Sequence, residues 1–555
     1  MKFTRRDLLV WGAGAAAGIM VTPVPWKVLD DVSIWSQNWP WIPQPARGPI
    51  EIKSSSCTLC PNGCGLRLRM AAGWPVGVAG SSTHPVSRGA LCPLAFGAHQ
   101  LNWHPQRLRN VQHRESSSSW NEAVAAFAKA REEGPIVVID GYPGRAASSI
   151  LQAFSQKRRG SYRVVRGPET RALTPYEAWT GVPASSFGYD LDNTKTILSF
   201  AAPLLDGWGT PGRFTRLWAE RAAGMENPEL RVIQIEPSLS RTAARAWRRI
   251  SIRDGSEDVL AAGLARVLTE QKLVPAHGPL PSISLADVAA RTGLNADAIR
   301  ELARTIASET PAVAIARDYS ASIAALNVLL GSVGAKGGIV RRSKDTRIYE
   351  SAQAPIANAR AVLIDASVPW DYIPQTDAEV FRFAAWTGGA TKDWLLPAPG
   401  FLEELTDIPP APTSSVETYA VAPQLLKPVS EVESVVQLLR LLDSSLPSVD
   451  DVINSRCGDL FHGRAGTLIA QTAVEVNTLA SPQKLKELLL AGAIWKGEPP
   501  AAGKLHCELK KWPDDAPPAP SEKWDAAWPL PVLPPLASKL YIESGLREHP
   551  DRRTV

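Results

Sequence analysis

The sequence is short of several features that would assign a protein to a class at once. Its 555 residues include only six cysteines and eight histidines, and no Cys-x-x-Cys pair is followed by histidine, which excludes a c-type haem. Beyond residue 22 no apolar run is long enough to cross a membrane. The 60 basic and 55 acidic residues give a net charge of only +5, which calls for no nucleic-acid partner. The sequence therefore predicts a soluble body of more than one domain.

Four of the six cysteines lie in one stretch with the spacing C-x2-C-x3-C-x27-C. They are Cys57, Cys60, Cys64 and Cys92. Three thiols on one tight turn and a fourth on a returning loop suit the four irons of a cubane cluster, so we predict that these cysteines bind one [4Fe-4S] cluster. Zinc or two disulfides are the alternatives. Zinc sites usually contain two C-x2-C pairs, and this stretch has one.

The first 25 residues predict an export signal or a retained membrane anchor. Thr4-Arg5-Arg6-Asp7 is a twin-arginine motif, and an apolar run from Leu8 to Val21 follows it. Three glycines in this run disfavour the alternative of a packed first helix. Twin-arginine export carries folded proteins, which fits an iron-sulfur protein. We therefore expect the chain on the periplasmic side of the cytoplasmic membrane.

Strand and helix patterns alternate after the cysteine stretch. Ser119 begins a capping box for a helix through about Glu132, and residues 135–140 have the composition of a buried strand. Further strands are predicted at 196–201, 231–236 and 312–316, and further helices after Ser256, Ser284 and Asn295. Such alternation predicts an α/β fold with parallel sheets and ligand crevices at the carboxyl ends of the strands.

The cysteine pattern, with His84-Pro-Val-Ser-Arg88-Gly-Ala-Leu-Cys92 and His104-Pro-Gln-Arg-Leu-Arg109, resembles the N-terminal domain of the complex iron-sulfur molybdoenzyme (molybdopterin oxidoreductase) family. Weaker matches follow in family order at 197–200, 233–243, 253–257, 325–338 and 393–403. The resemblance implies a small N-terminal iron-sulfur domain followed by two parallel-sheet α/β domains. It also implies that the C-terminal barrel that covers the pterins is reduced or absent.

The resemblance implies these boundaries for the domains. After the signal or anchor at 1–25 come an extended linker at 26–50 and the [4Fe-4S] domain at 51–105. One α/β domain combines 106–135 with 340–450, the other spans 136–339, and 451–555 is a reduced C-terminal region with a Pro-rich tail.

Positions that hold the family's bis-molybdopterin guanine dinucleotide are changed in this chain. The G-x-N after the first strand is Ala201-Ala202-Pro203, and proline has no N–H to donate. The second such motif, G-x-N-P, is Ala366-Ser367-Val368-Pro369, and Leu94 replaces the lysine that commonly follows the fourth cysteine. Each buried polar group left unpaired costs about 1–3 kcal/mol, so we expect molybdopterin guanine dinucleotide to be absent.

The family's molybdenum ligand also has no evident counterpart. No cysteine lies between Gly141 and Asp190, and the remaining candidates, Ser185 and Ser186, are of a type usually found in turns. We expect large side chains to fill the crevice, namely Trp208, Trp370 and Trp394. Cys457 and Cys507 are expected either to form a disulfide or to be free thiols, with a metal site a distant third.

This combination resembles the molybdopterin-like subunits of quinone-linked membrane complexes, namely alternative complex III and the periplasmic quinone reductase complex. The run from Ile197 to Pro211 carries this part of the resemblance. It implies a non-catalytic electron-transfer subunit whose partners are a multihaem cytochrome c, a ferredoxin-like iron-sulfur subunit and an integral membrane quinone-binding subunit. Two alternatives are a catalytic molybdoenzyme for a small periplasmic substrate and a scaffold subunit with a non-redox cluster.

Overall fold

A computed structural model describes residues 4–28, 48–157, 160–222, 227–274, 279–342, 358–368, 372, 374, 376–387, 392–428, 430–498, 507, 509 and 511–513. The chain forms two compact units, one of residues 1–51 with 70–76 and one of residues 52–69 with 77–555. Most of the predicted linker, nearly all of the predicted Pro-rich tail and Trp370 lie outside the described residues.

The strands are numbered in chain order. They are β1 (Ile50–Ser56), β2 (Gly65–Ala71), β3 (Trp74–Gly80), β4 (Gln112–His113), β5 (Ser116–Ser117), β6 (Ile136–Asp140), β7 (Ser161–Val164), β8 (Phe187–Tyr189), β9 (Thr196–Phe200), β10 (Arg231–Glu236), β11 (Arg248–Ser251), β12 (Ala312–Ala316), β13 (Ile339–Arg341), β14 (Ala361–Ile364), β15 (Glu379–Ala384), β16 (Trp394–Pro397), β17 (Thr406–Ile408), β18 (Thr418–Ala422), β19 (Thr467–Ile469), β20 (Ala473–Glu475) and β21 (Ile494–Lys496).

The α-helices are numbered in the same way. They are α1 (Arg5–Val21), α2 (Pro93–Gly97), α3 (Trp120–Glu133), α4 (Ala146–Lys157), α5 (Pro168–Arg171), α6 (Thr174–Thr180), α7 (Pro211–Leu217), α8 (Arg241–Arg245), α9 (Glu257–Glu270), α10 (Leu285–Thr292), α11 (Ala296–Ser308), α12 (Ala321–Leu329), α13 (Val435–Leu442), α14 (Val449–Gly463) and α15 (Pro482–Leu490).

Predicted caps begin several of these helices. The hydroxyl of Ser119 accepts a hydrogen bond from the Glu122 amide, and the Glu122 carboxylate accepts one from the Ser119 amide, which completes the predicted capping box of α3. Ser284 and Asn295 cap α10 and α11 through their side chains. Ser256 also precedes its helix, but its hydroxyl donates to an earlier carbonyl and caps no helical amide.

The first unit contains α1. Thr4 begins this helix with a capping box that Asp7 completes, so two residues of the twin-arginine motif also serve as a helix start. Within the described residues, the helical segment Arg5–Val28 is long and apolar enough to cross a membrane, a test that a signal sequence also passes.

The largest sheet has seven strands in the order β5-β4-β16-β15-β14-β6-β7, with β7 to β16 parallel. Its core includes Phe127, Phe154 and Phe381. Because β6 pairs with β14, residues from both predicted α/β domains share this sheet, and the predicted boundary between residues 135 and 136 falls inside it.

A second, wholly parallel sheet has the order β11-β10-β9-β12 and is contiguous in sequence. Strand order reverses at β9 in this sheet, because β10 lies on one side of it and β12 on the other. The same reversal occurs at β6, between β7 and β14. In such sheets ligands bind where the order reverses, at the carboxyl ends of the strands.

A five-stranded antiparallel sheet, β17-β18-β21-β19-β20, follows, and α14 and α15 contribute to the core beside it. Near the N-terminus β1, β2 and β3 form a three-stranded sheet in chain order. The predicted α/β class, with parallel sheets and an N-terminal cysteine-bearing segment, is confirmed.

Candidate iron-sulfur site

The structure brings the four predicted cysteines together. Cys57, Cys60 and Cys64 lie on the loop between β1 and β2, which the Cys57 amide closes by donating to the Cys64 carbonyl at 2.8 Å. Cys92 is the residue immediately before α2. The first three are at most 9% exposed, and Cys92 is only partly buried, so Cys92 is the ligand candidate most open to solvent.

Burial raises the pKa of all four thiols, and the neighbouring cysteines raise those of Cys57, Cys60 and Cys64 further. Four buried thiolates would repel one another, so the loop needs a positively charged occupant to hold them ionised. All six cysteines of the chain are free thiols, so the alternative of two disulfides is not the observed arrangement. The four residues fit an iron cluster on these grounds.

Zinc is the alternative occupant of this site. Among the described residues, no group of three histidine, cysteine or acidic side chains is arranged to hold a single metal ion. The preference for a cluster rests on the cysteine spacing in the sequence, which contains one C-x2-C pair and not the two that are usual for zinc.

N–H groups surround the sulfur atoms. Asn62 donates its side-chain amide to Cys60 Sγ at 3.2 Å, and the backbone of Gly212, at the start of α7, hydrogen-bonds to the Cys64 thiol. A Cβ added at Gly212 would lie 2.9 Å from Cys64 Sγ and 3.0 Å from the Ala90 carbonyl oxygen, so only glycine fits. Hydrogen bonds to the sulfur atoms are among the factors that set a cluster's potential.

Sequence reasoning missed both of these positions. Asn62 lies in a Pro-Asn-Gly turn between Cys60 and Cys64. Its position in this turn, between two predicted ligands, could have identified it as a candidate donor to a cysteine sulfur. Gly212 is far from the cysteines in sequence, and no local pattern connects it with Cys64.

His84, in the motif that ends at Cys92, holds this segment to the cysteine loop. Its Nδ1 accepts hydrogen bonds from the Val86 and Ser87 amides at 3.1 and 3.0 Å, and the ring also bonds to the backbone of Gly63. Burial lowers the pKa of His84 to about 4, so the ring is neutral at physiological pH. A neutral, buried ring with both nitrogens occupied acts as a structural link between the two ligand-bearing segments.

The reversal point between β6 and β14 is occupied by charged side chains of the chain itself. Arg145 donates to Asp140 at 2.9 Å, to Asp365 at 2.6 Å and to the Ser367 hydroxyl at 3.1 Å. Burial opposes ionisation of Asp140, yet Arg145 and several hydrogen bonds hold the pKa of its carboxyl below the usual value. We call these four residues the Arg145 network.

The backbones at this reversal point are in direct contact. The Gly141 amide donates to the Ser367 hydroxyl at 3.1 Å, and a Cβ at Gly141 would lie only 2.3 Å from the Ser367 carbonyl oxygen. Beside the network lies a cavity of about 70 Å³, whose lining includes Cys60, Tyr142 and Glu404. Tyr142 links this reversal point to the cysteine loop, because its hydroxyl donates to the Pro61 carbonyl at 3.1 Å.

The reversal point between β9 and β12 is bridged by Trp208. Its indole N–H donates to the Arg317 carbonyl at 2.8 Å, and the Arg317 amide in turn donates to the Phe200 carbonyl at 3.0 Å. Trp208 is 1% exposed. Its position at the carboxyl edge of β9 is the one predicted for a side chain that fills the crevice.

The same prediction is wrong for Trp394. This residue begins β16, so it stands at the amino end of a parallel strand, opposite the edge where ligands bind. It stacks on His113 with ring centroids 4.0 Å apart and donates to Glu379 at 2.8 Å. The Arg145 network at the other crevice was not predicted from the sequence. Asp140 and Asp365 each come after a run of buried strand residues, and this pattern places both at the ends of strands.

The remaining candidates have ordinary surroundings. The backbone carbonyls of Ser185 and Ser186 accept hydrogen bonds from Arg342. Cys457 lies on α14 in the core of the C-terminal part, and burial raises its pKa and that of Cys507 to about 11. Both are free thiols in this structure.

Comparison with known families places this site in a class. Residues 50–100 match the molybdopterin oxidoreductase Fe4S4 domain, and this segment contains all four predicted cysteine ligands. Residues 50–100 are therefore a domain of this type, and the match supports the predicted [4Fe-4S] cluster. The resemblance to the molybdopterin oxidoreductase family is confirmed.

Two relatives and one solved structure extend the comparison. The chain is 32% identical over 365 residues to the menaquinone reductase, molybdopterin-binding-like subunit of Nitratidesulfovibrio vulgaris, covering 61% of this chain and 52% of that protein. It is 25% identical to the nitrate-inducible formate dehydrogenase major subunit of Escherichia coli, covering 40% of this chain and 25% of that protein. The chain thus spans about half, or less, of the length of these relatives.

The fold matches that of a solved structure. Acetylene hydratase from Pelobacter acetylenicus superposes with a TM-score of 0.59 over 80% of this chain and 74% of that one, at 13% identity. At such low identity the likeness concerns the fold alone. It agrees with the parallel sheets described above.

Proposed function

We propose that this chain is an iron-sulfur subunit, free of molybdenum, of a membrane-associated respiratory complex that exchanges electrons with quinone on the periplasmic side. One observation carries the proposal: the four-cysteine site is kept, while the chain's own residues lie at both reversal points and leave a cavity of only about 70 Å³ beside the one between β6 and β14. The similarity to a menaquinone reductase subunit supports the quinone-linked role.

Cys57, Cys60, Cys64 and Cys92 would hold the cluster, which supplies the capacity to accept and release one electron. The chain's own contribution is to exclude water and to compensate negative charge on sulfur. Burial of the first three cysteines provides the exclusion, and the N–H groups of Asn62 and Gly212 provide part of the compensation. We assign no catalytic residue to the chain.

The residues at the two crevices do not fit molybdopterin guanine dinucleotide. Asp140 and Asp365 lie at the carboxyl edge of β6 and β14, where ligands of such sheets bind, and their charges disfavour an anionic pyrophosphate. The Arg145 guanidinium already donates to both of them. At β9 and β12, the buried Trp208 side chain lies at the carboxyl edge and donates to the Arg317 carbonyl. We therefore route no chemistry through a pterin.

The proposed partners are a multihaem cytochrome c, a ferredoxin-like iron-sulfur subunit and an integral membrane subunit that binds quinone. The twin-arginine motif and the apolar helix that follows it support export and, if the helix is retained, attachment to the membrane. A subunit that carries one cluster and no substrate site needs partners on both sides of its electron-transfer step.

Metal analysis of the complex purified from native membranes tests the proposal. We expect no molybdenum, and about four irons per chain beyond those that the haems and clusters of the partner subunits account for. Molybdenum near one per chain would show that the crevices bind the pterin after all.

The redox role is tested with Cys60→Ser, with Cys457→Ser as the matched change of a buried free thiol elsewhere. We expect the first variant to lose the cluster's electron paramagnetic resonance (EPR) signal and quinone-linked electron transfer, and the second to keep both. Electron transfer that survives loss of the signal would favour the scaffold alternative.

A further inference from the structure

The segment that carries the four cysteines contains no acidic residue. Between Glu51 and Glu115 the sequence has seven arginines and lysines but neither aspartate nor glutamate, although the net charge of the whole chain is only +5. One of the seven, Arg107, is buried in an ion pair with Glu403. The other six are exposed, namely Lys53, Arg67, Arg69, Arg88, Arg109 and Arg114. The cluster-bearing part of the chain therefore has a positively charged surface.

Two of these charges project from β2. Leu66 and Leu68 of this strand are fully buried, and the alternating residues Arg67 and Arg69 are exposed on its other side. Within the described part of the chain, neither guanidinium lies within ion-pair distance of a carboxylate. Arg67 is three residues beyond Cys64, which corresponds to about 10 Å along the strand. Unpaired positive charge is therefore present close to the cluster ligands.

An exposed helix face adjoins the fourth cysteine. Cys92 begins a helical segment that consists of α2 and a 3-10 helix over Ala98–Trp103. Its exposed positions recur at intervals of three, four and three residues, which is the spacing of residues on one side of a helix. They are Pro93, Phe96, Gln100 and Trp103, whereas Ala95, Ala98 and Asn102 are buried. We call the four exposed residues the outer face.

The outer face presents two aromatic side chains to solvent. Phe96 is 53% exposed and Trp103 is 45% exposed, and no residue of the outer face carries a charge. Phe96 follows Cys92 by one helical turn, and residues four apart in a helix have their Cβ atoms about 6 Å apart. The core of a protein interface is typically depleted of charge and contains aromatic anchors, with polar and charged residues around it. The outer face, within a basic segment, has this composition.

We propose that the outer face is the docking site of a negatively charged electron-transfer subunit, which exchanges one electron with the cluster past Cys92. This inference deepens the proposed function and rests on it, because it requires a bound, redox-active cluster. The metal centre of one protein is oxidised as that of the other is reduced, and no atom is transferred. Cys92 is the ligand candidate most open to solvent, so an electron crosses the least protein there.

Charge complementarity identifies the kind of partner. A segment with positive charge and no carboxylate attracts an acidic surface and accelerates association, and dissolved salt weakens this attraction. A second copy of this chain would bring the same positive segment, and like charges placed opposite each other disfavour such a contact. The aromatic side chains then supply the short-range contacts that hold the partner in one orientation.

The first test is the composition of the complex purified from native membranes through a tag on this chain, with Phe96→Ala or Trp103→Ala. We expect a haem- or cluster-bearing subunit, identified by its own absorbance or EPR signal, to bind about tenfold more weakly or worse on dilution. Quinone-linked reduction of the cluster should slow with it. Trp247→Ala is the matched control, because Trp247 is 41% exposed and lies outside the segment. Native content of every redox subunit in both variants would overturn the proposal.

The charge is tested with the double variant Arg67→Gln and Arg69→Gln. The same redox subunit should dissociate from it at a lower salt concentration than from the native complex, because two attractive charges are lost. Arg245→Gln with Arg249→Gln is the control, since both arginines are exposed and lie outside the segment. An unchanged salt dependence in the first double variant, or an equal shift in the second, would refute the role of the basic segment.

Iron content separates this inference from the proposed function. Native complex without cluster iron would refute the proposed function, whereas native iron with native subunit content in all variants refutes only the inference. If Phe96→Ala loses iron because the helix after Cys92 is disturbed, Trp103→Ala decides. Loss of membrane attachment or of self-association, with all redox subunits still bound, would assign the outer face to a lipid surface or a second copy and would overturn the proposal.

Discussion

Substitution of Gly212 by alanine should weaken cluster binding through a single methyl group. The added Cβ would stand 2.9 Å from Cys64 Sγ and 3.0 Å from the Ala90 carbonyl oxygen. Favourable contacts between such atoms require about 3.5–4.0 Å, so the first turn of α7 has to move by roughly half an ångström or more. That movement also lengthens the hydrogen bond from the Gly212 backbone to the Cys64 thiol.

Overpacking of this kind costs about 1–3 kcal/mol. If the cost falls on the cluster-bound state, the equilibrium for retaining the cluster shifts by about 5- to 150-fold. The assay is iron and acid-labile sulfide per chain, followed during exposure of the complex to an iron chelator. Gly212→Ala should lose its cluster faster and should show an altered EPR spectrum.

Gly458→Ala is the control for this experiment. Gly458 lies within α14, and nothing stands within 4 Å of the position that its Cβ would take. Alanine there should stabilise the helix slightly and leave the cluster unaffected. Equal rates of iron loss and identical spectra for native complex and Gly212→Ala would refute the close approach of α7 to the cluster.

Three further changes test other parts of the structure. Asp140→Asn removes the negative charge from the buried ion pair with Arg145, and we expect the free energy of unfolding, measured with urea, to fall by about 3–5 kcal/mol. An unchanged urea midpoint would show that the Arg145 network contributes little to stability. Burial raises the pKa of Glu169 to about 7 from its ordinary 4.5, so the folded state binds more protons between these values and stability falls as pH rises from about 4.5 to 7. Glu169→Gln should flatten that slope, and an unchanged pH profile of unfolding would contradict the assignment. Trp208→Phe removes the hydrogen bond to the Arg317 carbonyl, and we expect the free energy of unfolding, measured thermally or with urea, to fall by about 0.5–1.5 kcal/mol. An unchanged free energy of unfolding would mean that this hydrogen bond does not hold the bridge between β9 and β12.

Local pattern predicted much of the fold. The strands at 231–236 and 312–316 have the predicted limits, and Ser119, Ser284 and Asn295 cap helices as predicted. These features depend on residues close in sequence, where propensity and capping chemistry act. The four cysteines were also readable, since three lie on one loop.

Long-range pairing could not be predicted in the same way. Nothing local shows that Ile136 pairs with Ala361, and the predicted boundary between residues 135 and 136 therefore separates strands of one sheet. The same pairing brings Asp140 to Asp365, so the Arg145 network was invisible until the sheet was known. Trp394 was expected in a crevice because its motif is near one in sequence, but strand direction places it at the opposite edge.

The strands of the seven-stranded sheet come from two separate parts of the chain, and this affects the order in which the protein folds. The four-stranded sheet is continuous from 196 to 316 and can be completed while the ribosome is still translating the C-terminal part of the chain. The larger sheet needs β14 to β16, so the loop that carries Tyr142 gains its final support only after residue 397 has emerged. That loop contacts the cysteine segment through Pro61, which was made much earlier. We therefore expect the cysteine segment to lack its contact with the Tyr142 loop through most of translation. Cluster insertion should accordingly be a late event in the chain's biogenesis.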